Sequence, residues 1–338
     1  MSARATGARV TSTCAAMVLS LWLGGCRKAP SPGVEPDPTP SGSVRRDAAP
    51  EAQDVGQPPL EVMRGPTLIL LHGEGSKVWW QVADGIYELE LPAGTPRKVF
   101  DGKAGTAGPG GIAWSEVDPL CTGCMRIMGQ SWGGKPRKLL GLTPHQTLRG
   151  LAIHGSEVFV LRSGPVGSVD PHDGEVVAIE LSSGKSTVLA SGRPQLTGDP
   201  QVDATHVYFG EYDGKPTFCR VPRGKGPVEV LGDTVGAVFG PAGLFAFSST
   251  GDGIDRVQPT KATPVPGTDH YGPRAVSTTG VIGERDLRLV HFTPSGPKVL
   301  TRSPHTTHQV LVVDGWLVWT AGDEKANNLR FLYRVPVN

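Results

Sequence analysis

The feature that most constrains this chain is a strand ending that recurs seven times. Seven short segments close on an apolar residue preceded by a polar one: Leu91 after Glu90, Ile127 after Arg126, Leu181 after Glu180, Val221 after Arg220, Val257 after Arg256, Phe292 after His291 and Val335 after Arg334. The steps between them are 36, 54, 40, 36, 35 and 43 residues. Upstream of each lies a second apolar run (KVWWQV, GIAWSE, EVFVLR, HVYFGE, LFAFSS, GVIGE, WLVWTA), and before most of those a third, as in LAIHG, QVDA and VLVVDG. Six of the seven are followed by a fourth: RKVF, RKLL, STVLA, VEVLG, TPVPG and PKVL. Seven units of four short strands at a period of about 40 residues predict an all-β chain, a seven-bladed β-propeller over residues 57–338. Gly 46 and Pro 31 fit a turn-rich chain with little helix.

Two units are weak. TPVPG is a poor strand because Pro donates nothing to a ladder. The segment GKAGTAGPG, ahead of the second unit's apolar run, shows no clear inner strand. The seventh unit stops at RVPVN with no fourth strand. Near the other end, QPPLEVMRG (57–65) is similar to KGPVEVLGD (225–233), which reads as a fourth strand. Leu60–Met63 are therefore expected to supply the outer strand of blade 7, which leaves fewer open edges. Asp84-Gly85, Asp173-Gly174, Asp213-Gly214 and Asp252-Gly253 fall between second and third strands and read as hairpin turns rather than as a ring of acidic ligands. Trp79, Trp80, Trp114, Phe159, Phe209, Phe247 and Trp319 recur in the second strands and read as packing between blades.

On these repeats, residues 57–338 resemble the TolB-like or quinoprotein-like propellers of bacterial lipoproteins. WD, kelch and Asp-box signatures are absent, so the resemblance implies an architecture and no set of active-site residues.

Residues 1–25 have the pattern of a signal peptide: Arg4 and Arg9, no acid, then the short apolar run CAAMVLSLWL. That run is too short to span a bilayer. It ends in LGGC, which resembles the lipobox of bacterial lipoproteins. The resemblance implies that Cys26 is lipidated and anchors the chain in a membrane of the cell envelope. Arg27 in place of an Asp favours the outer membrane over the inner. Residues 26–56 are rich in Pro, Ser and mixed charge and read as a disordered tether, reaching about 90 Å if extended.

Lys+Arg 33 against Asp+Glu 32 leaves a net charge of +1, no footprint for nucleic acid. The motif GQSWGG places Ser131 in G-x-S-x-G, and LILLHGEG resembles the oxyanion loop of the same α/β-hydrolases. The helix that a nucleophile elbow requires is not visible after it. Cys121 and Cys124, in CTGC, read as a disulfide bracing a hairpin of blade 2, with zinc and thioredoxin-type chemistry as the other readings. Cys219 reads as a buried free thiol.

His172 lies in a loop between second and third strands. His145, His270, Tyr271, His305 and His308 lie between blades, with Asp199 nearby. In a four-stranded blade these loops share one face, around the mouth of the central channel. Scattered solvated residues are the plain reading. A ligand or divalent metal held there is the functional one. Two functions follow. The first is an envelope lipoprotein whose propeller binds or scaffolds a protein, peptide or glycan. The alternative is a metal-dependent propeller hydrolase resembling gluconolactonases, whose Glu/Asn/Asp ligand set is not recognisable here.

Overall fold

The computed structural model describes residues 56–164, 172–233, 237–248, 253–258, 261–323 and 329–337. The leader, Cys26 and nearly all of the tether lie outside the described residues. Every regular element described is a strand. The first, β1 (Leu60–Pro66), belongs to the last blade.

Blade 1 holds β2 (Ile69–Glu74), β3 (Lys77–Val82), β4 (Gly85–Glu90) and β5 (Arg97–Phe100). Blade 2 holds β6 (Thr106–Gly108), β7 (Gly111–Val117), β8 (Met125–Ser131) and β9 (Arg137–Leu142). Blade 3 holds β10 (Thr147–His154), β11 (Glu157–Ser163), β12 (Gly174–Glu180) and β13 (Ser186–Arg193). Blade 4 holds β14 (Gln195–Val202), β15 (His206–Tyr212), β16 (Pro216–Pro222) and β17 (Glu229–Gly232). Blade 5 holds β18 (Val238–Gly240), β19 (Gly243–Phe247), β20 (Ile254–Gln258) and β21 (Lys261–Pro264). Blade 6 holds β22 (Gly272–Val276), β23 (Val281–Arg285), β24 (Arg288–Thr293) and β25 (Gly296–Arg302). Blade 7 runs β26 (Thr306–Val313), β27 (Trp316–Gly322), β28 (Leu329–Pro336) and then β1. Within each sheet the strands are antiparallel, in chain order from the channel outward, except at this seam.

The seam is the expected one. β1 pairs with β28 from Leu60 opposite Arg334 to Pro66 opposite Leu329, with a register shift between Glu61 and Met63. The strand runs three residues beyond Met63. Upstream, the Gln57 N–H donates to the Leu300 carbonyl at 2.9 Å, so the chain joins blade 6 before it enters blade 7.

The core is divided among the seven junctions between blades. Along a strand, alternate side chains face opposite sides of the sheet. Val158 and Val160 of β11 pack toward blade 2, while Phe159 and Leu161 pack toward blade 4. Trp79 and Trp80 divide in the same way, toward blades 2 and 7. Trp79, Trp80, Phe159, Phe209 and Trp319 are fully buried, as packing residues should be. Phe247 is 53% exposed, and Phe245 and Ala246 take the buried places in its strand.

The inner strand of blade 2, which no apolar run betrays, is real but has only three residues, all buried. It is bare of large side chains because its neighbours crowd it. A Cβ on Gly108 would lie 2.6 Å from Ile153 Cγ2. The fourth strand of blade 5, β21, sits two residues ahead of TPVPG, over KATP, stops at Pro264 and has every side chain exposed.

The junction of blades 1 and 2 is the thinnest. Among the described residues its buried apolar core is Trp79, Ile86, Ala107 and Ile112, four against six at the junctions of blades 4 and 5 and of 5 and 6, and ten or eleven at the other four. Turns between first and second strands, and between third and fourth, lie on the face opposite the mouth loops.

Removing residues before Thr67 deletes β1 and bares the edge of β28. Loss of several kcal/mol should lower the midpoint of a thermal melt by about 10 °C. An unchanged melt would show that the seam contributes nothing.

Candidate functional site

Where the junction is thin, a cleft opens. It has a volume of about 690 Å³ and lies between blades 1 and 2 on the face opposite the mouth loops. Glu74 and Gly75 border it at the inner strand of blade 1, Arg97 and Val99 at the outer strand, and Pro109 and Trp132 from blade 2. From inner to outer strand is three strand spacings, about 14 Å. This volume falls in the range of small-ligand sites.

A buried carboxylate organises the wall. Glu88 Oε2 accepts from Trp79 Nε1 at 3.1 Å. Its Oε1 accepts from Arg97 Nη2 at 2.9 Å and from Lys77 Nζ at 3.3 Å. The carboxylate side chain is 10% exposed, while those of Arg97 and Lys77 are 71% and 40% exposed. The acid is therefore sunk in the wall and both cations face solvent. Opposite, Trp132 is half-buried and donates its Nε1–H to the Gly108 carbonyl at 3.0 Å, which fixes the plane of the indole.

The inner end is closed by a second carboxylate. Glu74 Oε2 lies 3.2 Å from His72 Nε2 and 3.5 Å from His154 Nδ1, and accepts from the Gly155 N–H at 3.2 Å. His154 belongs to blade 3, so the contact passes over the short inner strand of blade 2. Burial alone would raise the Glu74 carboxyl, but the bonds from His72 and Gly155 and the nearby imidazoles outweigh it and hold it below the usual range. Burial lowers the His154 imidazole despite the attraction of Glu74.

The residues expected at the channel mouth lie on the other face, and none lines the cleft. His145 is exposed between β9 and β10, and His172 is exposed in the turn before β12. His305 stacks on Phe331, ring centres 4.6 Å apart, and Tyr271 packs edge-on against Phe292 at 5.0 Å. His270 takes a left-handed backbone with φ of 67°. His308 packs so closely on Gly322 that a Cβ there would meet its Nε2 at 2.5 Å. Asp199 lies on β14 inside a register shift between Thr197 and Gln201. Water reaches it, yet the surrounding protein pushes its carboxyl above the usual range against a bond from Leu151. Among the described residues no group of three or more His, Cys, Asp and Glu is arranged to hold a metal ion.

Cys121 and Cys124 are joined as a disulfide between β7 and β8, with Cα atoms 5.3 Å apart. Cys219 is a buried free thiol, pushed up to about 12 by burial and by Glu211. Ser131 is no nucleophile elbow. It ends β8 at a turn through Gly133 with φ of 74°, and β9 follows in place of a helix. One serine–histidine pair escaped the sequence reading: Ser277 Oγ and His291 Nε2 are 2.8 Å apart. Both are buried, and the same hydroxyl accepts from the N–H groups of Thr279 and Gly280, so it locks the first hairpin of blade 6.

No family model matches the chain, and no curated protein matches it. Solved structures do resemble it. An oligogalacturonate lyase from Vibrio parahaemolyticus is 10% identical, with 84% of this chain and 99% of that chain covered at a TM-score of 0.53. The β-propeller domain of the Trilobed protease from Pyrococcus furiosus, described as having an open velcro topology, is 11% identical, with 79% and 95% covered at a TM-score of 0.54. The likeness is one of fold. In this propeller the ring is closed by β1.

Two outcomes test the electrostatics. Glu88→Leu leaves the buried N–H of Trp79 without an acceptor and should cost about 1–3 kcal/mol in urea unfolding. Asp199 has a folded pKa above its unfolded value, so its charged form penalises the fold and the penalty lifts as pH falls. Asp199→Asn, which can still accept from Leu151, should melt higher than the parent at pH 7. The gap should narrow as pH falls toward about 3.9 and be gone below it.

Proposed function

We propose that this protein is a lipid-anchored component of the bacterial envelope, outer membrane rather than inner, whose propeller is a binding module that holds its partner in the cleft between blades 1 and 2. The observation that carries the reading is the wall of that cleft. Glu88 is held by Trp79, Lys77 and Arg97, and Trp132 is held by Gly108, so the polar and aromatic groups are fixed in advance. Fixed groups lose little freedom when a ligand arrives, which favours recognition. With both oxygens of Glu88 committed, the wall offers donors and an aromatic surface rather than a poised base. The anchor rests on LGGC at residues 23–26, and residues 27–56 give the propeller its reach.

Two measurements test it. In cells fed an alkyne fatty acid, the protein should carry the label in the outer-membrane fraction, and Cys26→Ser should abolish labelling and release the protein. The purified protein should melt at the same temperature with a chelator or with added calcium, zinc or manganese. A resident metal would stabilise the fold by about 2.7 kcal/mol at a hundred times its dissociation constant. A chelator-sensitive melt restored by one metal would favour the metal-dependent hydrolase instead.

A further inference from the structure

We infer that the ligand of the cleft is an acidic glycan, with carboxylates on successive sugar rings engaged by Arg97 and Lys77 and a ring laid against the indole of Trp132. This rests on the reading of the cleft as a binding site and names the chemistry it selects.

Charge gives the first part. Arg97 and Lys77 share a single oxygen of Glu88, so two cations face one carboxylate and one positive charge is left over. Glu90 stands opposite Lys77 on β4 with its side chain in solvent, and the remaining acids nearby are committed elsewhere. Glu74 is turned to His72 and Gly155. Lys98 contributes its stem to the cleft while its ammonium pairs with Asp84 at 3.3 Å and Asp101 at 2.8 Å. Arg97 spends one Nη2 hydrogen on Glu88, and its second Nη2 hydrogen forms an edge with the neighbouring Nη1–H or Nε–H that matches a second carboxylate in two-point fashion.

Shape and surface give the second part. The cleft runs radially across blade 1, from inner to outer strand, which suits an extended chain of rings rather than a compact molecule. The C–H face of a pyranose is apolar and packs on an indole, and Trp132 is held with its ring in the wall. A peptide added as a strand would run along the free edge of an outer or inner strand, whereas the cleft crosses the blade and its walls are the side chains of Lys77, Trp79, Glu88, Arg97 and Trp132. A net charge of +1 over the chain gives no general attraction for polyanions.

The test uses the purified full chain, tryptophan fluorescence and calorimetry. The probes are a hexasaccharide of uronic acids, neutral maltohexaose and a hexaglutamate peptide. The uronate probe should bind and shift the fluorescence, weaken as salt rises from about 0.05 to 0.5 M, and exceed maltohexaose by at least tenfold. Arg97→Gln and Trp132→Leu should each weaken it at least tenfold in variants that keep the circular dichroism spectrum and a single cooperative melt of the parent. Lys225→Ala, in the turn after β16 of blade 4, should have no effect. Equal binding of maltohexaose or of hexaglutamate overturns the assignment, as does uronate binding that both cleft variants leave intact. No binding of the uronate hexasaccharide overturns it too. The lipid label on Cys26 and the metal-indifferent melt would then still stand, so the two readings fail separately.

Discussion

Every blade of this protein has two apolar faces, and both must be covered. Residues 158–161 show the constraint in four positions, with alternate side chains entering the cores on either side of blade 3. The adjacent tryptophans of β3 show it again, one toward each neighbour. A sheet buried on both sides cannot end a stack without leaving a hydrophobic face in water. A ring removes the end faces. The first and last strands of the fold then meet in one sheet, because a blade made from both ends closes the ring without a further contact surface.

The cleft follows from the same constraint relaxed at one junction. Blade 2 starts with three small residues, so less apolar surface meets blade 1 there. The gap is bordered by a hydrogen-bonded assembly of Glu88, Trp79, Arg97 and Lys77 at the outer end and of Glu74, His72 and His154 at the inner. Buried polar groups are tolerable when each finds a partner. The assembly fills part of the gap with paired donors and acceptors where other junctions have apolar packing.

Much of the fold was legible because the second and third strands of each unit are rich in Val, Ile, Leu and aromatic residues, and because Asp-Gly turns punctuate them. The seam was legible from the likeness of LEVM to VEVL. The inner strand of blade 2 was not, since Thr106–Gly108 owes its burial to residues of other blades. Phe247 has the right type at the right place in the repeat, and only the phase of its strand puts it outside. The cleft was hidden for a different reason. Its members come from separate stretches between Glu74 and Gly133, and the weight of Glu88 depends on a tryptophan nine positions earlier being buried. The one visible sign was the missing apolar run in GKAGTAGPG. The histidines and Tyr271 of the mouth loops share a face, but His305, Tyr271 and His308 belong to local packing with Phe331, Phe292 and Gly322.

The seam also fixes how the fold would bear tension. A pull arriving through the N-terminal segment acts at Leu60, along the axis of β1. The six register pairs with β28 then resist together, in shear, instead of opening one after another as a peeled edge does. The bond from Gln57 to Leu300 meets the load first and shares it with blade 6. A load applied there would be borne by the same strand that completes the ring.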